Sequence, residues 1–204
     1  MKGVFITGIG TDVGKTVISA LMVKHLNADY WKPVQAGVEP TTDSKTIKEL
    51  VPKSVIHAER YLLQEPMSPH AAADREGLEI NISDFELPQS DNTIVVEGAG
   101  GLMVPINYKG DTYFELIKHL NLPVVVVSRN YLGSINHTLM TLELLKQSKV
   151  EILGVVFNDK PNPETEKIIL DKTGLNCLGN IEFLNEVNES SVELYSKKIK
   201  NVRK

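Results

Sequence analysis

Short runs of β-branched and aromatic residues alternate along the chain with longer stretches whose apolar positions recur every three or four residues. Val4-Phe5-Ile6-Thr7, Thr93-Ile94-Val95-Val96, Val124-Val125-Val126-Val127 and Ile152-Leu153-Gly154-Val155-Val156-Phe157 are continuous rather than alternating, the pattern of strands buried on both faces. Asp29-Tyr30-Trp31 reads as a further, shorter strand. Behind the first run, Ile18, Leu21, Met22 and Leu26 share one helical face; after Asn136, Leu139, Leu142 and Leu145 do the same until the pattern breaks at Gln147. Repetition of strand, helix and strand implies right-handed crossovers and a mostly parallel sheet with helices on both faces, a three-layer α/β architecture. Residues 52–89 carry no clear period and read as a loop with one or two helices. Residues 190–200 read as a solvated C-terminal helix with Lys197, Lys198, Lys200, Arg203 and Lys204 at its negative end. No repeat or linker interrupts the pattern, so residues 1–204 are read as a single domain.

Composition narrows the class. A chain of 204 residues with 42% hydrophobic content can bury one sizeable core. The formal net charge of −4 provides no global positive field, so neither nucleic acid nor an anionic membrane is expected as a partner. Cys177 is the single cysteine, which excludes an internal disulfide and a cysteine-based zinc site and suits a reducing compartment. The start, Met1-Lys2-Gly3 and then Val4, is too short for a signal-peptide core, and no apolar run nears the ~20 residues that cross a bilayer. A cytoplasmic location is expected.

Candidate chemistry begins directly behind the first strand. Gly8-Ile9-Gly10-Thr11-Asp12-Val13-Gly14-Lys15-Thr16 joins that strand to the first helix, the context a phosphate-binding loop requires. Glycines let backbone N–H groups turn onto phosphate oxygens, and the helix N-terminus adds partial positive charge. Lys15 is placed to reach the outer phosphates, and the Thr16 hydroxyl suits Mg²⁺. The usual spacing would put the first glycine at position 9, which is Ile9, so with Gly8 the loop is one residue longer than the commonest form. The alternative is a plain glycine-rich turn. The motif in this context predicts a P-loop NTPase fold that binds Mg-ATP and uses the terminal phosphate to drive chemistry on a small molecule.

Two further positions fall where a parallel sheet places its ligands, at strand C-terminal ends. Lys32 follows the short strand ending at Trp31; it is either a surface charge or a second cation for phosphoryl transfer. Glu97 follows the strand ending at Val96 and precedes Gly98-Ala99-Gly100-Gly101; it either caps that turn or completes a Mg²⁺ site with Thr16. Asp43 stands ahead of a helix-like stretch at residues 45–50, where an N-cap is the default reading.

Together with the loop, Lys32-Pro33-Val34-Gln35-Ala36-Gly37, Ser68-Pro69-His70, Val96-Glu97-Gly98-Ala99-Gly100-Gly101, Leu132-Gly133-Ser134-Ile135-Asn136-His137 and Asn158-Asp159 make the chain resemble the dethiobiotin synthetases over residues 3–185. The resemblance implies a homodimer that builds the ureido ring of dethiobiotin from 7,8-diaminononanoate, CO₂ and ATP with Mg²⁺. By position, it makes Lys15 and Lys32 the holders of phosphates and carbamate, with Thr11 near the reacting carbamate. It makes Thr16, Asp43 and Glu97 the Mg²⁺ ligands. Gly8, Asp12, Val13, Gly14, Lys15, Thr16 and Val17 become nucleotide contacts, and Asn158 reads adenine. Lys32, Ala36, Gly133, Ser134, Ile135 and Asn136 become substrate contacts, the last four serving the diamine's carboxylate across the dimer interface. Ala36 stands where the family usually has Ser or Thr, and Asp12 replaces the more familiar Glu. His70 falls in one of the resembling segments; taken without the family, a histidine after Ser-Pro reads as a packed or surface residue. The order Asn158-Asp159-Lys160 does not match the guanine-reading Asn-Lys-x-Asp, which favours ATP over GTP.

Two other classes share parts of the pattern. Partner-binding ATPase switches of the chromosome-partition type usually carry an extra lysine early in the phosphate loop, and positions 9–13 contain none. Cobyrinate amide-forming synthetases need a glutamine-hydrolysing domain with a nucleophilic cysteine, and Cys177 is the only thiol.

Overall fold

The computed structural model describes residues 1–184, 186–200 and 202, so Arg203 and Lys204 lie outside the described residues. The strands are β1 (Gly3–Gly8), β2 (Asp29–Trp31), β3 (Val34–Ala36), β4 (Ile56–His57), β5 (Tyr61–Leu63), β6 (Ile94–Gly101), β7 (Val124–Arg129), β8 (Ile152–Asn158) and β9 (Cys177–Ile181). Seven of them form one parallel sheet in the order β4-β2-β6-β1-β7-β8-β9, while β3 and β5 pair as a separate parallel ribbon. The helices are α1 (Lys15–Leu26), α2 (Asp43–Leu50), α3 (Pro69–Arg75), α4 (Tyr113–Leu120), α5 (Ser134–Gln147), α6 (Pro163–Thr173) and α7 (Glu189–Ser196).

The apolar runs are continuous because the sheet is covered twice. Val4, Ile6, Val95, Val125, Val127 and Val156 pack with α1, α2 and α7. Their neighbours in sequence, Phe5, Val96, Val124, Val126, Val155 and Phe157, point the other way and pack with α3, α4, α5 and α6. Both layers of the expected three-layer fold are therefore present. Chain direction across the sheet reverses at β1, between β6 and β7, and open α/β sheets bind ligands at such a switch point.

Several expectations need correction. Helix α1 buries more than the one apolar face read from its sequence: Ser19, Ala20 and Val23 are buried along with Ile18, Leu21, Met22 and Leu26, because α7 lies over its outer side. The C-terminal helix is accordingly not a free surface helix. Its Val192, with Ile199 and Val202 beyond it, joins the same core, and Lys24 pairs with Glu193. Residues 52–89, expected as loop and helix, also supply β4 at the sheet edge, β5 and a short 3-10 turn at Ile82–Asp84. These strands of two and three residues are too short to show a period. Strand β6 continues through Gly101, so Glu97 lies within it rather than after it. Helices α4 and α6 and strand β9 were not foreseen. No helix among the described residues is long and apolar enough to cross a membrane.

At the N-terminal edge of β2 a buried carboxylate ties three segments together. Asp29 accepts hydrogen bonds from Ser90 Oγ at 2.5 Å and from Asn92 Nδ2 at 2.9 Å, with His57 Nε2 at 3.2 Å. Burial pushes its carboxyl up, but these donors more than offset that and hold it below its ordinary value of 3.8. A depressed carboxyl stabilises the fold above its unfolded-state value, and that stabilisation is lost as the pH falls through the folded-state value. Asn92→Ala is therefore expected to lower the unfolding free energy by about 1–2 kcal/mol at pH 7 in chemical denaturation. The gap to wild type should narrow as the pH falls below the ordinary carboxyl value of 3.8 and through the lowered folded-state value; a gap that stays constant across the whole acid titration would refute the assignment.

Candidate active site

The phosphate loop spans residues 9–14, between the end of β1 at Gly8 and the start of α1 at Lys15. Gly14, the N-cap of α1, has φ +91, and a Cβ there would lie 2.1 Å from Asn158 Nδ2, so only glycine fits. Asn158, at the end of β8, donates Nδ2 to Val13 O at 2.9 Å. The Lys15 ammonium folds across the loop and donates to Gly10 O at 2.9 Å. Burial, reinforced by the neighbouring Lys32 charge, pushes Lys15 down to about 8 despite Glu97 and Asp43. An anion seated beside Lys15 would offset that cost of burial.

Lys32 is not a surface charge. It is 2% exposed, and its three ammonium protons have three acceptors: Asp43 Oδ2 at 2.7 Å, Glu97 Oε1 at 3.0 Å and Gly98 O at 2.9 Å. Burial alone would lower its pKa, but Glu97 and Asp43 outweigh burial and hold it above the ordinary lysine range. Asp43 shows the converse. Burial raises its carboxyl, and Lys32, the Thr16 hydroxyl and Lys15 bring it below the usual value. The expectation that Asp43 caps its helix is wrong: Thr42 is the N-cap, accepting from Lys45 N, and Asp43 is the first helical residue with its carboxylate turned to Lys32. A β-region residue one position earlier could reach the free amides, so Asp43 was released for the site.

Thr16 Oγ1 lies 2.8 Å from Asp43 Oδ1 and 3.0 Å from Glu97 Oε1. Three hard oxygen donors from α1, α2 and β6 thus converge at the mouth of the loop, a donor set that fits Mg²⁺, which is normally held by one or two carboxylates with phosphates and waters completing the shell. Among the described residues no group of three or more His, Cys, Asp or Glu is placed to hold a metal ion by itself.

A pocket of 620 Å³ opens beside this cluster, lined on one side by Thr11, Asp12, Gly14, Lys15, Thr16 and Val17 and on the other by Lys32, Asp43, Glu97 and Ala36. Pro66 to Pro69, Ala99, Gly100 and Val104 form its remaining, mainly apolar wall. A larger hollow of 750 Å³ lies at the opposite end of the strands beside Met1, Lys2 and Thr93, but no clustered cations and carboxylates meet there. Asn158 lines a separate recess with Val17, Arg129 and Phe183. Gly133, Ser134, Ile135 and Asn136, at the start of α5, are not among the residues lining the 620 Å³ pocket. His70 packs edge-on against Tyr108 at 5.0 Å.

Sequence reasoning missed two supports. Gln35 is buried and accepts from Asp43 N at 3.1 Å while donating to Gly37 O, which sets the start of α2. Tyr30, read only as a strand residue, donates to Glu97 Oε2 at 2.9 Å. An aromatic with a hydroxyl in a buried strand is the one signal that pointed to such a partner.

Comparison with known proteins agrees with this geometry. A family model for the AAA domain matches residues 2–191. The chain is 46% identical over 192 residues to an ATP-dependent dethiobiotin synthetase of Paramagnetospirillum magneticum, covering 94% of this chain and 93% of that one. It is 46% identical over 202 residues to an ATP-dependent dethiobiotin synthetase of Cytophaga hutchinsonii, covering 98% and 97%. Among solved structures, the MinC:MinD cell division complex of Aquifex aeolicus aligns over 97% of this chain and 94% of that one with a TM-score of 0.58 and 15% identity, a likeness of fold alone.

The lowered Lys15 pKa has a measurable consequence. An anion seated on the loop favours the charged ammonium, so binding at a pH near 8 must draw in a proton. Calorimetry of triphosphate binding in buffers of different ionisation enthalpy should show uptake of about half a proton at pH 8, falling towards zero by pH 6.5. Equal uptake at both pH values would disprove the link.

Proposed function

The chain belongs to the ATP-dependent dethiobiotin synthetase family, and from that footing we propose that it forms the ureido ring of dethiobiotin from 7,8-diaminononanoate and CO₂, with ATP as co-substrate, in biotin synthesis. The observation that carries the proposal is the buried Lys32 ammonium beside Asp43 and Glu97, set one pocket's width from the Lys15 end of the phosphate loop. Two cations and a small apolar wall suit a carbamate next to a phosphate tail.

In this reaction one amine captures CO₂ as a carbamate. A carbamate oxygen attacks the γ-phosphorus while the bond to ADP breaks, giving a carbamic-phosphoric anhydride. The second amine then attacks the carbamoyl carbon, phosphate leaves, and the ring closes. Phosphoryl transfer of this kind needs positioning and charge neutralisation rather than a protein nucleophile. Lys15 and Lys32 hold the phosphate and carbamate charges, and Thr11 borders the reacting carbamate. Gly8, Asp12, Val13, Gly14 and Val17 contribute to the nucleotide cradle, and Asn158 reads the base. Thr16, Asp43 and Glu97 would hold Mg²⁺, which supplies positive charge to the phosphate oxygens. Ala36 meets the diamine without a hydroxyl.

Gly133 to Asn136 serve the diamine's carboxylate in a second copy of the chain. Support comes from position: this helix start does not line its own chain's pocket, and the adjoining Leu132 and Met140 are 103% and 64% exposed. Apolar side chains so displayed are covered in a homodimer.

Purified protein given ATP, Mg²⁺ and bicarbonate should release phosphate strongly only when the diamine is added, and Lys15→Gln should abolish that release. Release indifferent to the diamine would eliminate the synthetase reading. Glu97→Gln, which keeps the volume beside Tyr30, should raise the Mg²⁺ concentration for half-maximal rate by about tenfold or more. An unmoved Mg²⁺ titration in a folded variant would remove Glu97 from the metal site.

A further inference from the structure

Two side chains outside the phosphate loop take its carbonyls. Arg129, the last residue of β7, donates Nη1 to Asp12 O at 3.2 Å; Asn158, the last residue of β8, donates to Val13 O at 2.9 Å. The two strand ends are register partners, so adjacent strands hold consecutive carbonyls. A trans peptide is planar, with its C=O and N–H directed oppositely. Drawing the Asp12 and Val13 carbonyls towards β7 and β8 therefore turns the Val13 and Gly14 N–H groups away from those strands and into the cradle. Arg129 is itself aimed. Its Nε lies 2.7 Å from Asp159 Oδ2, and Asp159 accepts from Lys160 N through its other oxygen at 2.7 Å.

We infer that Arg129, held by Asp159, is a positioning residue that presets the amides of the phosphate loop and so governs affinity for the polyphosphate tail whatever base is attached. The inference rests on the nucleotide reading of the loop. A competing role exists, because Arg129 also borders the recess formed by Val17, Phe183, Leu184 and Val187, where it could instead touch a base. A ligand with no base separates the two.

The experiment compares ATP with inorganic tripolyphosphate, measured as a competitor of ATP, on the wild-type protein and on Arg129→Gln, Arg129→Lys and Asp159→Asn. Arg129→Gln should raise the KM for ATP and weaken tripolyphosphate by the same factor, roughly tenfold, with kcat changed much less. Arg129→Lys should fall between, since an ammonium keeps the charge but cannot span Asp159 and Asp12 with one rigid fork. Asp159→Asn should weaken both ligands in equal proportion and to a smaller extent. Weakening of ATP with tripolyphosphate unmoved would put Arg129 on the base and overturn the inference, as would an unchanged KM in folded Arg129→Gln. Failure of the wild-type protein to bind ATP would instead sink the nucleotide reading itself.

Discussion

A single buried ammonium organises the functional end of the molecule. Lys32 gives its three protons to Asp43, Glu97 and Gly98, and so joins the segment behind β2 to α2 and β6. The two carboxylates would repel each other if left alone, and their shared hydrogen bond to Thr16 brings in α1 as well. Such a cluster adds little net stability, because desolvating four charged or polar groups offsets most of the attraction. What it supplies is position, since removing Lys32 would leave the Asp43 and Glu97 carboxylates facing each other without the cation they share.

The phosphate loop works by the opposite principle. Its anion-facing groups are backbone amides, which carry no net charge and need no counter-ion in the free protein. They need orientation, which comes from rigid neighbours: Gly14 at φ +91 permits the turn, and Asn158 and Arg129 fix carbonyls on the far side. The strands that carry those two side chains are buried on both faces, so small displacements there would disturb a packed core. Burial of Lys15 beside Lys32 completes the arrangement, because a cation already uncomfortable in its charged state gains most from an incoming anion.

Both halves meet at the one place where the sheet's winding reverses. There the ends of β6, β1 and β7 diverge, and the wall formed by Ala36, Pro66 and Val104 can face the loop across a cavity. The fold therefore explains why charged and apolar walls share a pocket, while the side chains on those walls decide what reacts in it.

The amino-acid sequence by itself determined the doubly covered strands, because a run such as Val124 to Val127 has no polar position to give to solvent, and it determined the loop, because Gly14-Lys15-Thr16 behind a strand is a local constraint. Thr16 was legible in the phosphate loop, Lys32 and Glu97 at strand ends and Asp43 ahead of a helix, and the structure brings all four within hydrogen-bonding reach. Their roles were not. Whether Lys32 was wet or buried and what the Asp43 carboxylate would meet depended on partners 65 and 27 residues away, a separation over which no local pattern carries information. The same holds for α7, whose sequence reads as solvated until α1 is laid beneath it, and for β9, where Gly179 and Asn180 break the apolar run that the sheet edge nevertheless accepts. Local preference chose the elements; only the closing of the chain on itself decided which charges would face each other without water between them.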